Sequence, residues 1–81
     1  MDLVLNGTTR AFAALDKDPR LSHLIELLQF RPDRIAVEHN GEIIPRAGWD
    51  KAVLRPGDKV EVVQFVGGGS GGTRGPRFQL S

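Results

Sequence analysis

Cysteine is absent from this sequence of 81 residues. Its absence excludes disulfides, thiolate metal sites, iron–sulfur clusters and cysteine nucleophiles. A long apolar run is missing as well: the N-terminal segment MDLVLNG has an acid at position 2 and only three consecutive apolar residues. We therefore expect no signal peptide, no membrane span and a cytoplasmic location.

Excess charge of one sign is also absent, because the formal net charge is +1. A balance so close to neutral predicts no nucleic-acid partner. The charges are nevertheless unevenly distributed. Residues 1–69 contain nine Lys/Arg and ten Asp/Glu, whereas residues 70–81 contain Arg74 and Arg77 and no acid. We interpret the chain as one small domain followed by a segment of different composition.

The sequence shows no constellation of residues suited to catalysis or metal binding. His23 and His39 stand apart with no cysteine nearby, which favours surface or capping roles over metal ligation. The carboxylates form no recognisable acid–base pair, and no serine has a flanking nucleophile motif. We predict no catalytic residue, no metal site and no enzymatic activity. Trp49 is predicted to pack over an edge of the core.

Turn and cap signals divide the chain into short elements. Asn6-Gly7 and Asn40-Gly41 each predict a tight β-hairpin, and Pro56-Gly57 predicts a type II turn. Asp18 before Pro19 is typical of a helix N-cap followed by proline at the first helical position. The helix should carry one apolar stripe and end near Phe30; the stripe comprises Leu21, Leu24, Ile25 and Leu28.

The order of elements is strand, strand, helix, strand, short strand, strand. It predicts an α+β fold, a β-grasp (ubiquitin-like) roll in which a mixed sheet of four to five strands packs on one main helix. We assign residues 1–66 to this domain and residues 67–81 to a flexible, disordered, Gly-rich tail with a C-terminal extension.

The last strand, Lys59 to Val66, is predicted to have two different faces. Val60 and Val62 should point toward the helix, which places Val63 and Phe65 on the open face beside the glycines. An exposed apolar patch of this kind is a candidate partner-docking surface. The alternative is a central strand that is covered on both faces.

The strand runs directly into the segment FVGGGSGGTRG. Gly67, Gly69 and Gly72 satisfy G-x-G-x-x-G, but no helical pattern and no Lys-Ser or Lys-Thr follows, which argues against phosphate binding. A Gly/Ser linker remains an alternative. A third interpretation is an end that an enzyme threads into its site, because glycine lacks Cβ and adopts conformations that other residues avoid.

Residues 1–69 closely resemble the ThiS-type sulfur carrier proteins of thiamine biosynthesis. The specific part comprises VEHNGEIIPRAGW, then GDKVEVV and the closing FVGGG, in the family's order and spacing. The resemblance implies a ubiquitin-like β-grasp fold and a carrier that catalyses nothing itself. Gly68 and Gly69 match the family's terminal pair, with Gly67 before them and Gly71 and Gly72 following in the tail.

The resemblance also implies the chemistry and the partners. A ThiF-like adenylating enzyme would use ATP and Mg to activate the Gly69 carboxylate. Sulfur from a desulfurase would then convert the adenylate to a thiocarboxylate, and thiazole synthase would accept that sulfur to build the thiazole ring. Val63 and Phe65 fall where such carriers present apolar surface to their partners.

The sequence departs from the family at Ser70, which follows Gly69 in amide linkage. An amide cannot be adenylated, so we expect a processing protease to remove residues 70–81, with cleavage after Gly72 or after Gly68 as the second and third choices. Two other functions remain open. One is a sulfur carrier for molybdenum cofactor or tRNA thiolation, and the other is a non-covalent β-grasp adaptor.

Overall fold

The described part of the chain contains one mixed sheet and one α-helix packed against a face of it. A computed structural model describes residues 1–65 and, for the backbone, residues 78–80. In chain order the elements are β1 (Asp2–Leu5), β2 (Thr8–Ala11), α1 (Leu21–Leu28), β3 (Ile35–His39), β4 (Glu42–Ile44), β5 (Lys59–Phe65) and β6 (Phe78–Leu80). Short 3₁₀ turns cover Ala13–Asp16, Pro32–Arg34 and Arg46–Gly48.

Both Asn-Gly pairs form the predicted hairpins. The φ angles are 48° and 83° at Asn6 and Gly7, and 53° and 87° at Asn40 and Gly41. Positive φ at both central residues matches the twist of the flanking strands, and Asn and Gly tolerate it best. The predicted turn at Pro56-Gly57 is also present, since Gly57 has a φ of 88°.

The sheet combines parallel and antiparallel strands. Its order is β2-β1-β5-β3-β4, with β1 parallel to β5 and the other neighbours antiparallel. Five strands and one helix within residues 1–65 confirm the predicted β-grasp roll. In addition, β6 pairs antiparallel with β5, a pairing that the sequence did not predict. The rest of the predicted flexible tail, residues 67–77 and Ser81, lies outside the described residues.

The core lies between α1 and one face of the sheet. Burial alternates along β5, where Val60 and Val62 are fully buried and Glu61 is exposed. This confirms the predicted face of the strand. The other buried apolar side chains are Leu3, Leu5, Phe12, Leu15, Leu21, Leu24, Ile25, Ile35, Val37, Trp49 and Leu54. Trp49 therefore belongs to the core, as predicted, and its indole N–H donates to the carbonyl of Ile44 at 2.8 Å.

The start of α1 differs from the prediction. Arg20, not Asp18, is the N-cap, and no side chain caps the helix. The first helical N–H groups donate instead to backbone carbonyls of a distant segment: Leu21 to Ala52 at 2.9 Å and Ser22 to Trp49 at 3.1 Å. Because these carbonyls satisfy the donors that a cap would serve, the Asp18 carboxylate is left to bind the Arg20 guanidinium at 2.6 and 2.7 Å.

Candidate functional site

The candidate site begins where β5 ends. The predicted adenylation residues Gly68 and Gly69 and the accompanying Gly67, Gly71 and Gly72 lie outside the described residues. What the structure describes is the strand that leads into them and the surface beside it. The geometry of β5 therefore determines where the glycine segment leaves the domain.

β5 is held on both sides at its beginning. On the β1 side, Val4 N–H donates to the backbone carbonyl of Asp58, and Asn6 N–H donates to that of Val60, each at 2.9 Å. On the opposite side, Asn40 N–H donates to the Lys59 carbonyl at 2.7 Å. A central strand bonded along both edges is among the most rigid parts of a small domain. The beginning of β5 is thus firmly positioned.

The side chain of Asn6 adds hydrogen bonds to β5 beyond the last residue of β1. Its Oδ1 accepts a hydrogen bond from Val62 N–H at 2.8 Å, and its Nδ2 donates to the Val62 carbonyl at 3.4 Å. The side-chain amide thus makes the hydrogen bonds to β5 that a backbone residue would make if β1 continued. The sequence indicated only the turn role of Asn6, because no local pattern reveals a partner 56 positions along the chain.

The open face of β5 carries both predicted docking residues. Val63 and Phe65 are half-buried on the face opposite Val60 and Val62. The register places Ala36 of β3 opposite Val63. An apolar patch therefore lies at the end of β5 that leads into the glycines. The docking role of this patch stays a prediction.

Farther from the glycines, the open face carries two glutamates. Glu38 of β3 lies opposite Glu61 of β5, and Ile43 of β4 lies opposite Glu38. Like charges directly across a strand pair are destabilising. Lys59, two residues before Glu61 on the same face of β5, partly balances this charge.

Both histidines have hydrogen-bond partners within the protein. His23 Nδ1 lies 2.8 Å from the Asp18 carbonyl, and His39 Nε2 lies 2.7 Å from Asp58 Oδ2. Burial opposes ionisation of Asp58, but hydrogen bonds from His39, the Arg55 N–H and Asn40 outweigh it and lower its pKa. No sequence pattern indicated this pair, whose members are 19 positions apart.

Asp18 is the second carboxyl with a displaced pKa. Its hydrogen bonds to the Arg20 guanidinium lower that pKa to about 2. The ion pair is exposed to solvent and joins Asp50 through Arg20 Nη1 at 3.3 Å. It therefore organises the surface at the start of α1 and contributes little to stability.

Among residues 1–65 and 78–80, no group of three or more His, Cys, Asp or Glu side chains could hold a metal ion. No helix found there has the length and apolar character needed to cross a membrane.

The curated proteins that this chain resembles include two thiazole synthases. The chain is 39% identical over 70 residues to a thiazole synthase of Paramagnetospirillum magneticum, covering 86% of this chain and 21% of that protein. It is 41% identical over 49 residues to a thiazole synthase of Magnetococcus marinus, covering 60% of this chain and 15% of that protein. The chain thus spans about a fifth or less of the length of these relatives.

Solved structures and a family model agree with the observed fold. The crystal structure of the thiamine biosynthesis protein ThiS from Geobacter metallireducens has a TM-score of 0.69 and 30% identity, covering 85% of this chain and all of that one. Its solution structure has a TM-score of 0.68 and 28% identity, covering 91% and 95%. The model of the ThiS family matches residues 3–69. The match begins in β1 and includes every strand and the helix of the β-grasp roll, so the chain belongs to the ThiS family of sulfur carriers.

Proposed function

We propose that this protein carries sulfur as a thiocarboxylate on Gly69 and delivers it for formation of the thiazole ring of thiamine. The family match ends at Gly69, the last of the three consecutive glycines that begin at Gly67, and this observation carries the proposal. The protein acts as a carrier, and its partners perform the catalysis.

The proposed chemistry requires a free carboxylate at Gly69. A ThiF-like enzyme with ATP and Mg forms the acyl-adenylate, releasing pyrophosphate. A sulfide equivalent supplied by a desulfurase attacks the acyl carbon, and AMP leaves as the C–S bond forms. Glycines suit this step because an end without side chains can enter a narrow site and bring its carbonyl close to catalytic groups.

Thiazole synthase is the proposed acceptor of the sulfur. Two relatives of that name contain a segment similar to this chain within a much longer polypeptide. A carrier-like segment within proteins of that name supports the pairing of carrier and acceptor. It also favours the thiamine pathway over molybdenum-cofactor or tRNA thiolation, for which the same chemistry would serve.

The extension after Gly69 determines when the carrier becomes competent. Residues 70–81 keep the Gly69 carbonyl in an amide bond, so we propose that a processing protease cleaves after Gly69. The change from a nearly neutral body to a basic, acid-free segment supports a boundary at this point.

Adenylation tests the proposal directly. Chains ending at Gly69 and at Ser81 are incubated with a ThiF-type enzyme, ATP, Mg and sulfide, and products are followed by intact mass. We expect AMP attachment and then a thiocarboxylate only on the chain ending at Gly69. A Gly68→Val variant of that chain is the matched control, because its side chain should obstruct the narrow site while the β-grasp domain is unchanged.

Two results would contradict the proposal. If the chain ending at Gly69 resists AMP attachment, Gly69 is not the activated residue. If the chain ending at Ser81 gives a thiocarboxylate with no protease present, removal of residues 70–81 is unnecessary. Intact-mass analysis in the native host is a second test, since a stable species ending at Ser81 would favour the non-covalent adaptor.

A further inference from the structure

β1 pairs with only the beginning of β5 and leaves the end of that strand edge without a β1 residue beside it. β1 follows β5 only as far as the pairs Val4–Lys59 and Leu5–Val60, and then turns away at Asn6-Gly7. The side-chain oxygen of Asn6 accepts a hydrogen bond from Val62 N–H. The next residue with backbone groups on this side is Gln64, and we call the side of β5 beyond Val62 the Gln64 edge.

Strand alternation assigns the backbone groups of Gln64 to this edge. Carbonyls of Asp58 and Val60 accept hydrogen bonds from β1, while the Lys59 carbonyl accepts from Asn40 on the opposite side. Even-numbered residues of β5 therefore direct N–H and C=O toward β1, and odd-numbered ones toward β3. β3 pairs with β5 as far as Gln64, so a strand added at Val63–Phe65 must lie on the β1 side.

β6 pairs with β5 at the Gln64 edge. Its register pairs Gln79 with Gln64, and it places Leu80 beside Val63 and Phe78 beside Phe65. An extended segment that bonds to an otherwise unfilled strand edge is strand addition, a common mode of peptide recognition. The segment RFQLS contains no proline, so each residue of β6 retains an N–H for the ladder.

We propose that the Gln64 edge is a strand-addition site occupied in this chain by its own residues Phe78–Leu80, which hold the extension against the domain until a protease or a partner strand displaces it. Phe65 and Phe78 are register partners, so the chain leaves β5 and re-enters the sheet at the same point. The added strand lies beside the docking residues Val63 and Phe65. The consequence for processing rests on the proposed carrier function, whereas the pairing does not.

The short length of β6 makes displacement feasible. A ladder of three residues contributes few hydrogen bonds, and closing the connection between Phe65 and Phe78 costs conformational entropy. Such a strand opens far more readily than the central strands and can exchange with a competing peptide. The edge is therefore suited to a reversible contact.

Amide hydrogen exchange measured by NMR on the full chain tests the pairing. Gln79→Pro removes the N–H of the residue paired with Gln64, Gln79→Ala keeps it, and Thr73→Pro adds a proline to the extension outside β6. We expect the Gln64 amide to exchange at least about fivefold faster in Q79P, and within about twofold of the parent chain in Q79A and T73P. NOEs between residues 63–65 and 78–80 should disappear only in Q79P.

Unchanged exchange at Gln64 in Q79P, or absence of those NOEs in the parent chain, overturns the proposal. Equal acceleration by T73P would also overturn it, because the effect would then not depend on β6. The adenylation test of the carrier role uses a chain that ends at Gly69 and lacks β6. Failure of one proposal is thus distinguishable from failure of the other.

Discussion

Replacing Trp49 with Phe tests how the segment before β5 supports the whole domain. Trp49 is 5% exposed, its indole N–H binds the Ile44 carbonyl at 2.8 Å, and its own carbonyl accepts from Ser22 at the start of α1. Phe keeps an aromatic ring in the core but removes the donor and part of the buried surface. The change therefore isolates the contribution of the indole.

The expected cost follows from two terms. Loss of the hydrogen bond to Ile44, a half-buried residue, contributes about 1 kcal/mol. Loss of roughly two ring carbons from a closely packed site contributes about another 1 kcal/mol or slightly more. A decrease of about 2 kcal/mol is a large share of the roughly 4–12 kcal/mol expected for a domain of this size. It should lower Tm by roughly 8–16 °C.

Urea unfolding followed by far-UV circular dichroism measures the change, since the variant lacks the only tryptophan. Ile43→Ala is the control, because Ile43 is 65% exposed and its truncation should change stability by no more than about 0.5 kcal/mol. Exchange of the Ser22 amide should accelerate in Trp49→Phe if the indole positions the helix start. A loss below about 0.5 kcal/mol for Trp49→Phe would refute this account of the core.

Three further predictions concern a turn, a half-buried acid and the docking face. Gly7→Ala should cost about 1–2 kcal/mol in chemical unfolding, because the φ of 83° disfavours a Cβ that would otherwise meet nothing within 4 Å; an equal cost for Gly7→Asn would contradict this reason. The lowered pKa of Asp58 stabilises the fold above its ordinary value of 3.8, and that contribution is lost as pH falls through the lowered pKa. Asp58→Asn should therefore be less stable near neutral pH but show a shallower acid-side loss in pH-dependent urea titrations, and parallel curves would exclude the effect. Phe65→Ala, in the chain ending at Gly69, should weaken binding to the adenylating enzyme about tenfold in calorimetry, whereas unchanged affinity would remove Phe65 from the docking surface.

Local chemistry made much of the fold predictable. Asn6-Gly7 and Asn40-Gly41 identified both hairpins because few other residue pairs accept two consecutive positive φ angles. The apolar stripe identified the helix, and alternation along β5 assigned Val60 to the core. Each of these signals acts between residues that are neighbours along the chain.

The same reasoning could not predict contacts between distant segments. Asp18 was wrongly assigned as the cap of α1, because the carbonyls of Trp49 and Ala52 reach the helix start only after the chain has folded. The motifs shared with the family identified the carrier, but no motif predicted β6 on the Gln64 edge.

The sequence by itself determined the turns, the helix, the buried face of the last strand and the family, because each depends on neighbouring residues or on a contiguous motif. Only the tertiary structure decided how the helix starts, what Asn6 binds and where residues 78–80 pair. Those contacts join residues far apart in the chain, and hydrogen-bonding groups find distant partners only when packing brings them within reach.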